Sequence, residues 1–279
     1  MHFVLTTVCP AGHRHSGAYA EVSDSLHHAL LGLGHHSTQA VNALFSDATN
    51  IIFGADLLGP DEALPHNAVL VNLEQLEGNT LLPPHYMARL LRHTVWDYSA
   101  ANVRLLQARS AKNPMQLPLG YVAQLTRIPV GNGEADIDVL FYGSLNPRRS
   151  AVLDQLSAAG VRVEKLFGLY GAERDAFISR SKIVLNMHFY ESKVLEVVRI
   201  FYLLANRVFV VSERGSDATE SARFEGGVAF CSYAQLASTC LHYLDNPPAR
   251  DAIAAQGKAL IQGCPQSAYL RHVLDALPR

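Results

Sequence analysis

The densest concentration of reactive side chains runs Asn186-Met-His-Phe-Tyr-Glu-Ser-Lys-Val-Leu-Glu-Val-Val-Arg199. The mostly apolar stretch Lys182–Met187 reads as a buried strand, so His188, Phe189, Tyr190 and Glu191 emerge in the loop at its end. A helix over Leu195–Ala205 then carries Glu196 and Arg199, three apart and therefore on one face. In this arrangement His188 could donate to a phosphate, the aromatic pair could flank a base or sugar, and Glu196 could accept from a ribose diol. A surface ion pair between Glu196 and Arg199 would do little by itself. So many polar groups at one strand end are nevertheless costly to bury without a use.

A second constellation is Phe141-Tyr-Gly-Ser-Leu-Asn-Pro-Arg-Arg149. A strand entering Gly143–Ser144 and then a helix leaves backbone N–H groups free to meet an anion. Asn146 precedes the helix, and Arg148 sits in its first turn, where the helix dipole disfavours a cation unless an anionic partner is near. The plainer alternative is a tight turn with solvated arginines.

Two further polar sets fall at strand ends in the first half: Asn72-Leu-Glu-Gln75 and Trp96-Asp-Tyr-Ser99. Glu74 or Asp97 could act as general base on an acceptor hydroxyl, and either could equally bind backbone amides or cap a helix. The loop after the first strand carries His13, His15, Ser16 and Gly17, the glycine allowing a close backbone approach to a ligand. His13 and His15 would favour a metal only with a third ligand, and no Asp or Glu lies in that loop. No metal site is expected.

The elements that hold these residues alternate. His2–Cys9 reads as a strand, Ser16–Leu33 as a helix, and Thr38–Leu44, Asn50–Phe53 and Ala68–Leu73 as strands. A helix over about His85–Leu91, a strand Val95–Tyr98, a helix capped by Ser99 and a strand Met115–Leu119 follow. Ile128–Asp138, with one proline and two glycines, reads as a linker. The alternation resumes with strands at Asp138–Tyr142, Val161–Phe167, Lys182–Met187, Val208–Ser212 and Val228–Phe230, helices between them, and helices Tyr233–Leu244 and Ala249–Leu260. This pattern predicts an α/β protein of two Rossmann-like lobes, 1–127 and 138–279, each with a mostly parallel sheet. Ligands of such sheets bind at the carboxyl ends of the strands, where every set named above lies.

Composition narrows the function classes. Hydrophobic residues make up 49% and charged residues 17% of 279, as in packed enzymes and unlike disordered chains. The net charge of −2 gives no general attraction to nucleic acid. The four cysteines show no CxxC spacing and read as free thiols. No basic signal-like start and no apolar run of membrane-spanning length is present, so a cytoplasmic protein without a membrane span is expected.

The segments DVLFYGSLNPRR, LFGLYGAERDAFISRSKIVLNMHFYE and VLEVVRIFYLLANRVFVVSE, within about Asp138–Asn246, resemble the donor-binding half of GT-B-type glycosyltransferases. The first half, with NLEQL, VWDYSAANVRLL and LPLGY, is similar to the short N-terminal region of bacterial polysaccharide-related members. The resemblance implies two lobes facing across a cleft and a nucleotide-sugar donor as substrate, with no obligatory metal or other cofactor. It places Gly143 and Ser144 near the phosphates, Phe167 and Gly168 near the base, His188 through Glu191 along the sugar and diphosphate, and Glu196 near the ribose. The acceptor, which could be a saccharide, a protein or a modified nucleobase, is left open. The family pairs two glutamates eight apart before a small-Gly-Pro turn. Here Glu191 and Glu196 are five apart and the turn reads Ala205-Asn-Arg-Val208, so either glutamate is a candidate for the ribose. Two rival readings stand beside the transferase: a nucleotide-sugar binding module acting as an inactive partner subunit, and a transferase acting on nucleic-acid bases.

Overall fold

The computed structural model describes residues 1–129, 135–190 and 193–277. The chain divides into two compact units, Met1–Gln124 with Pro265–Arg279, and Leu125–Cys264. In the first unit the strands β1 (His2–Thr7), β2 (His36–Val41), β3 (Thr49–Phe53), β4 (Val69–Asn72), β5 (Thr94–Asp97) and β6 (Asn113–Gln116) form one parallel sheet. Their order is β2-β1-β3-β4-β5-β6. The central strands are buried on both faces, which explains their continuous apolar runs. Helices α1 (Ala20–Gly32), α2 (Pro84–Arg92) and α3 (Ala100–Ala108) cover the sheet. Ser99 caps α3 by accepting from Asn102 N, as its position in the sequence predicts.

The second unit repeats the plan. Strands β7 (Ile137–Tyr142), β8 (Val163–Leu166), β9 (Ser181–Asn186), β10 (Val210–Glu213) and β11 (Ala229–Cys231) are parallel, in the order β11-β10-β9-β7-β8. They alternate with α4 (Pro147–Ala158), α5 (Gly171–Ile178), α6 (Val197–Ala205) and α7 (Ala218–Ala222), and end in α8 (Leu236–Leu244) and α9 (Pro247–Gln262). Its core packs Val139 and Phe141 of β7, Ile183 and Leu185 of β9 and Val211 of β10 against Leu153 and Leu156 of α4. Two facing glycines set one close approach: a Cβ on Gly257 of α9 would stand 2.7 Å from Gly227 O and 2.7 Å from Leu204 Cδ2.

Several elements differ from the sequence-based expectation. The expected helix Ser16–Leu33 opens as a tighter 3-10 turn, Arg14–Tyr19, because Ser16 Oγ turns back to donate to Val8 O at 2.8 Å. The expected strand Met115–Leu119 lies earlier, at Asn113–Gln116, where Pro114 is tolerated on a sheet edge. A last helix, α10 (Gln266–Asp275), returns to the first unit, whereas the expected second lobe ran through 279. Its Leu270 and Val273 are buried as it packs along α1, and Gln266 Oε1 accepts from Gly120 N at 2.7 Å. Residues 130–134 of the expected linker lie outside the described residues. The chain enters the second unit clamped by Asn206, whose Oδ1 accepts from Arg127 N and Ile128 N, each at 2.8 Å. In the same Ala205–Val208 turn Arg207 takes φ +56°, a left-handed conformation that glycine ordinarily supplies.

Alanine favours a helix interior over glycine by about 1 kcal/mol. At Gly257 the backbone contact reverses that sign, so Gly257→Ala destabilises the second unit by about 1–3 kcal/mol through overpacking. Urea unfolding checks this, and an increase in stability would refute the contact.

Candidate functional site

In the second sheet the strand order reverses between β7 and β9. A parallel sheet leaves a crevice at such a point, outside the carboxyl ends of the two strands. The loops that follow them, 143–146 and 187–190, are those carrying the reactive residues. Gly143 makes the first loop possible. Its φ is +130°, and a Cβ there would come within 3.1 Å of Arg199 Nη2. Asn146 then caps α4 by accepting from Arg149 N at 2.8 Å, while its Nδ2 donates across to Phe189 O at 3.1 Å, tying the two loops together.

Three arginines and two glutamates occupy these strand ends. Glu196 receives Arg149 Nη2 on Oε1 at 2.5 Å and Arg199 Nη1 on Oε2 at 2.8 Å. Arg149 also donates to Ser144 O at 2.8 Å and to Met187 O, and Arg199 donates to Asn186 Oδ1 at 2.6 Å and Tyr142 O at 2.8 Å. Arg148 forks onto Glu213, with Nη1 to Oε2 at 2.8 Å, and lies 3.9 Å from the centre of the Tyr233 ring. Burial lowers the Arg149 pKa, and the Glu196 carboxylate opposes that shift. Glu196 lies just before α6 without capping it, its carboxylate being taken by the two guanidinium groups. Among the described residues of this cluster, three guanidinium groups thus face two carboxylates.

His188 sits inside this frame. Its backbone N donates to Glu213 Oε2 at 3.2 Å, and its ring Nε2 lies 3.3 Å from Arg214 O. A carbonyl only accepts, so Nε2 carries the proton in that contact. Burial lowers the ring pKa, which leaves the neutral form and makes Nδ1 an acceptor. Nδ1 is buried with no hydrogen-bond partner, as are Arg149 Nε and Arg199 Nε. Buried polar atoms in this state call for a partner. With Nε2 turned to Arg214 O, the ring offers Nδ1 as a hydrogen-bond acceptor.

The other predicted residues fall as follows. Phe189 and Tyr190 are half-buried, with ring centres 5.0 Å apart. Phe167 follows β8 and is 63% exposed, beside Gly168 at φ +71°. Glu191 lies outside the described residues. Glu213 and Tyr233 escaped the sequence reading. The signal for Glu213 was an acid two residues after the apolar run that begins β10, while Tyr233 follows a turn of no distinctive composition.

In the first unit the two carboxylates separate. Asp97 is 1% exposed, and its oxygens accept from Asn72 Nδ2 at 2.6 Å, Ser99 N at 2.8 Å and Asn102 Nδ2 at 3.3 Å. It fastens the ends of β4 and β5. Glu74 has its backbone held by Asn72 and Asn102, while burial and the nearby Asp56 push its carboxyl up to about 7. Ser16 is committed to Val8 O, Gly17 lies in the same 3-10 turn, and the His13 and His15 rings pack edge-on with centres 5.5 Å apart. Among the described residues no three His, Cys, Asp or Glu side chains form a metal-binding group.

With this geometry in hand, the model of the family described as glycosyl transferase-like matches residues 130–270, just over half of the chain and nearly all of the second unit. The chain belongs to that family. Two uncharacterised proteins of Acanthamoeba polyphaga mimivirus are 29% identical to it, over 191 and 195 residues. The matched stretches take in 64% and 66% of the chain but only 60% and 65% of those relatives. These relatives come from a giant virus and lend no support to a bacterial origin. Among solved structures, Anabaena HepE in complex with UDP-glucose superposes with a TM-score of 0.64 at 12% identity, covering 99% of each chain. Sucrose-phosphate synthase of Thermosynechococcus elongatus gives 0.63 at 11%, and the lipopolysaccharide glycosyltransferase WaaG 0.59 at 11%, each again covering 99% of both chains. The fold is thus the two-unit Rossmann-like fold of GT-B glycosyltransferases. Among the described residues no helix is long and apolar enough to cross a membrane.

Removing one partner from a buried ion network leaves the others uncompensated, at a cost of about 3–5 kcal/mol. Glu196→Ala is accordingly expected to lower Tm of the unliganded protein by several degrees, because both Arg149 and Arg199 lose their carboxylate. An unchanged melting curve would mean that the cluster does not hold the fold.

Proposed function

We propose that this family member transfers a sugar from a nucleoside-diphosphate sugar to an acceptor hydroxyl, without an obligatory metal. The observation that carries the reading is the buried, unpartnered Nδ1 of His188, fixed through Nε2 at the reversal point of the second sheet beside three arginines. A hydroxyl-rich donor supplies the hydrogen bond that Nδ1 lacks, and its diphosphate faces the arginines. The complex of HepE with UDP-glucose supports the same ligand class.

In this reading the backbone amides of Gly143 and Ser144, at the start of α4, meet the diphosphate. Arg148, Arg149 and Arg199 act mainly as a preorganised positive field, since their forks are already engaged by carboxylates and carbonyls. Phe167 and Gly168 take the base, Phe189 and Tyr190 flank the sugar, and Glu196 keeps acceptor capacity for a ribose hydroxyl. In the first unit Glu74 is the base. The acceptor O–H gives its proton to the Glu74 carboxylate, the oxygen bonds to the anomeric carbon, and the nucleoside diphosphate leaves with the electron pair of the broken bond. Asp97 holds the loop that presents Glu74 through Asn72 and Asn102.

Two outcomes test these assignments. Ligands that bind only the folded state raise its melting temperature by mass action. UDP and UDP-glucose should both do so, and His188→Ala should reduce the UDP-glucose shift more than the UDP shift. Equal losses for both ligands would remove His188 from the sugar. For Glu74 the active form is the carboxylate, so kcat/KM should rise with pH through about 7. Glu74→Gln should abolish that limb and cut kcat by roughly 10²–10⁴-fold, with nucleotide binding intact. A variant that keeps the limb would place the base elsewhere.

A further inference from the structure

The first unit has a gap in its helical cover. A crossover between parallel strands ordinarily takes a dozen residues or more and lays a helix on the sheet. β2 and β3 flank β1 and run parallel to it, yet only residues 42–48 join them. The link is instead pinned as an irregular segment. Thr6 Oγ1 donates to Ala43 O at 2.7 Å, Cys9 N and Asn42 Nδ2 exchange bonds with Asn42 Oδ1 and Cys9 O at 2.7 Å, and Asn50 Nδ2 donates to Phe45 O at 2.8 Å.

Beside this link, at the carboxyl ends of β1, β2 and β3, lies a cavity of about 540 Å³. Its walls are Val8, Leu44, Ile52, Leu57, Leu58 and Leu64. Thr6 and Asn42 at its rim are spent on backbone as above, and Glu62 gives Oε2 to Gly59 N at 2.5 Å. The apolar surface continues outward through Val41, Leu44 and Phe45, which are 64%, 43% and 41% exposed. The first sheet also reverses its strand order between β1 and β3, so the cavity lies where a parallel sheet offers a crevice. Leu57 in its wall ends the short turn Ala55–Leu57 that carries Asp56, the residue whose charge acts on Glu74.

We infer that this cavity receives the apolar part of the acceptor, so that the sugar passes to an alcohol or phenol borne on an aromatic or alkyl group. A free saccharide would meet walls that are mostly apolar and replace little of its hydration. The volume suits a small ligand, within the range of about 300–1,000 Å³ usual for such sites. The inference rests on the transfer reading above for the word acceptor, and its test does not depend on the donor.

The test is a fluorescence titration of the full chain with 1-naphthol, repeated on Ala63→Trp, which fills the mouth from an exposed position, and on Leu44→Asp. Circular dichroism melting verifies that each variant is folded. Saturable binding is expected, weakened about tenfold in both variants, a loss on the scale of one apolar wall. Methyl glucoside should not compete. Naphthol binding that is absent in the parent, or equal in parent and variants, would overturn the assignment, as would competition by methyl glucoside. A concentration-dependent dimer broken by Leu44→Asp would also overturn it, by making the face a contact between copies. A UDP-induced rise in Tm without naphthol binding sinks this inference alone. Naphthol binding sensitive to both variants, with no UDP-induced rise, sinks the donor reading and leaves the apolar site standing.

Discussion

Glu196 accepts from Arg149 on one oxygen and from Arg199 on the other, and that shared carboxylate holds the strand ends of the second unit in one arrangement. Arg149 belongs to α4, Arg199 to α6, and their Nη atoms also reach the carbonyls of Tyr142, Ser144 and Met187. One carboxylate therefore spans the loops after β7 and β9. Without it, two guanidinium groups would face each other at a buried sheet end, a configuration that burial already disfavours for Arg149. The same arrangement fixes the Nη atoms of both arginines at the crevice. Preorganisation of this kind is useful to a reaction that develops negative charge on a departing diphosphate.

The first unit solves a parallel problem with neutral amides. Asn72 accepts from Tyr86 Oη at 2.7 Å and donates to Asp97 at 2.6 Å, and Asn102 reaches Glu74 O at 2.8 Å. Asp97 is thus consumed in holding β4 and β5, whereas the Glu74 carboxyl is less constrained. Two acids that look alike at strand ends meet different surroundings, one with amide donors around it and the other with desolvation and a like charge. The short link between β2 and β3 adds a third feature, an apolar hollow where most α/β sheets carry a helix.

Much of the fold is legible without coordinates. Apolar runs such as Phe3–Leu5 and Val139–Phe141, punctuated by Gly143, Pro147 and Ser99, mark parallel strands and the starts of helices, because burial on both faces demands continuous apolar side chains. The same reading finds the ends of β7 and β9, and with them the loops that hold the Gly143 turn and His188. It misses α10, whose modest apolar stripe says that it packs but not on which unit.

Residue types and spacing alone determined that this is an α/β chain of two parallel sheets with its polar groups gathered where strands end. Only the tertiary structure decided which of those groups face each other. Arg149 and Glu196 stand 47 positions apart, and Arg148 and Glu213 stand 65 apart. Secondary structure is set by neighbours within a few residues, whereas the charge, tautomer and pKa of a side chain are set by whatever the folded chain brings within about 4 Å of it. The fate of His188, neutral with a buried lone pair, belongs wholly to that second kind of information.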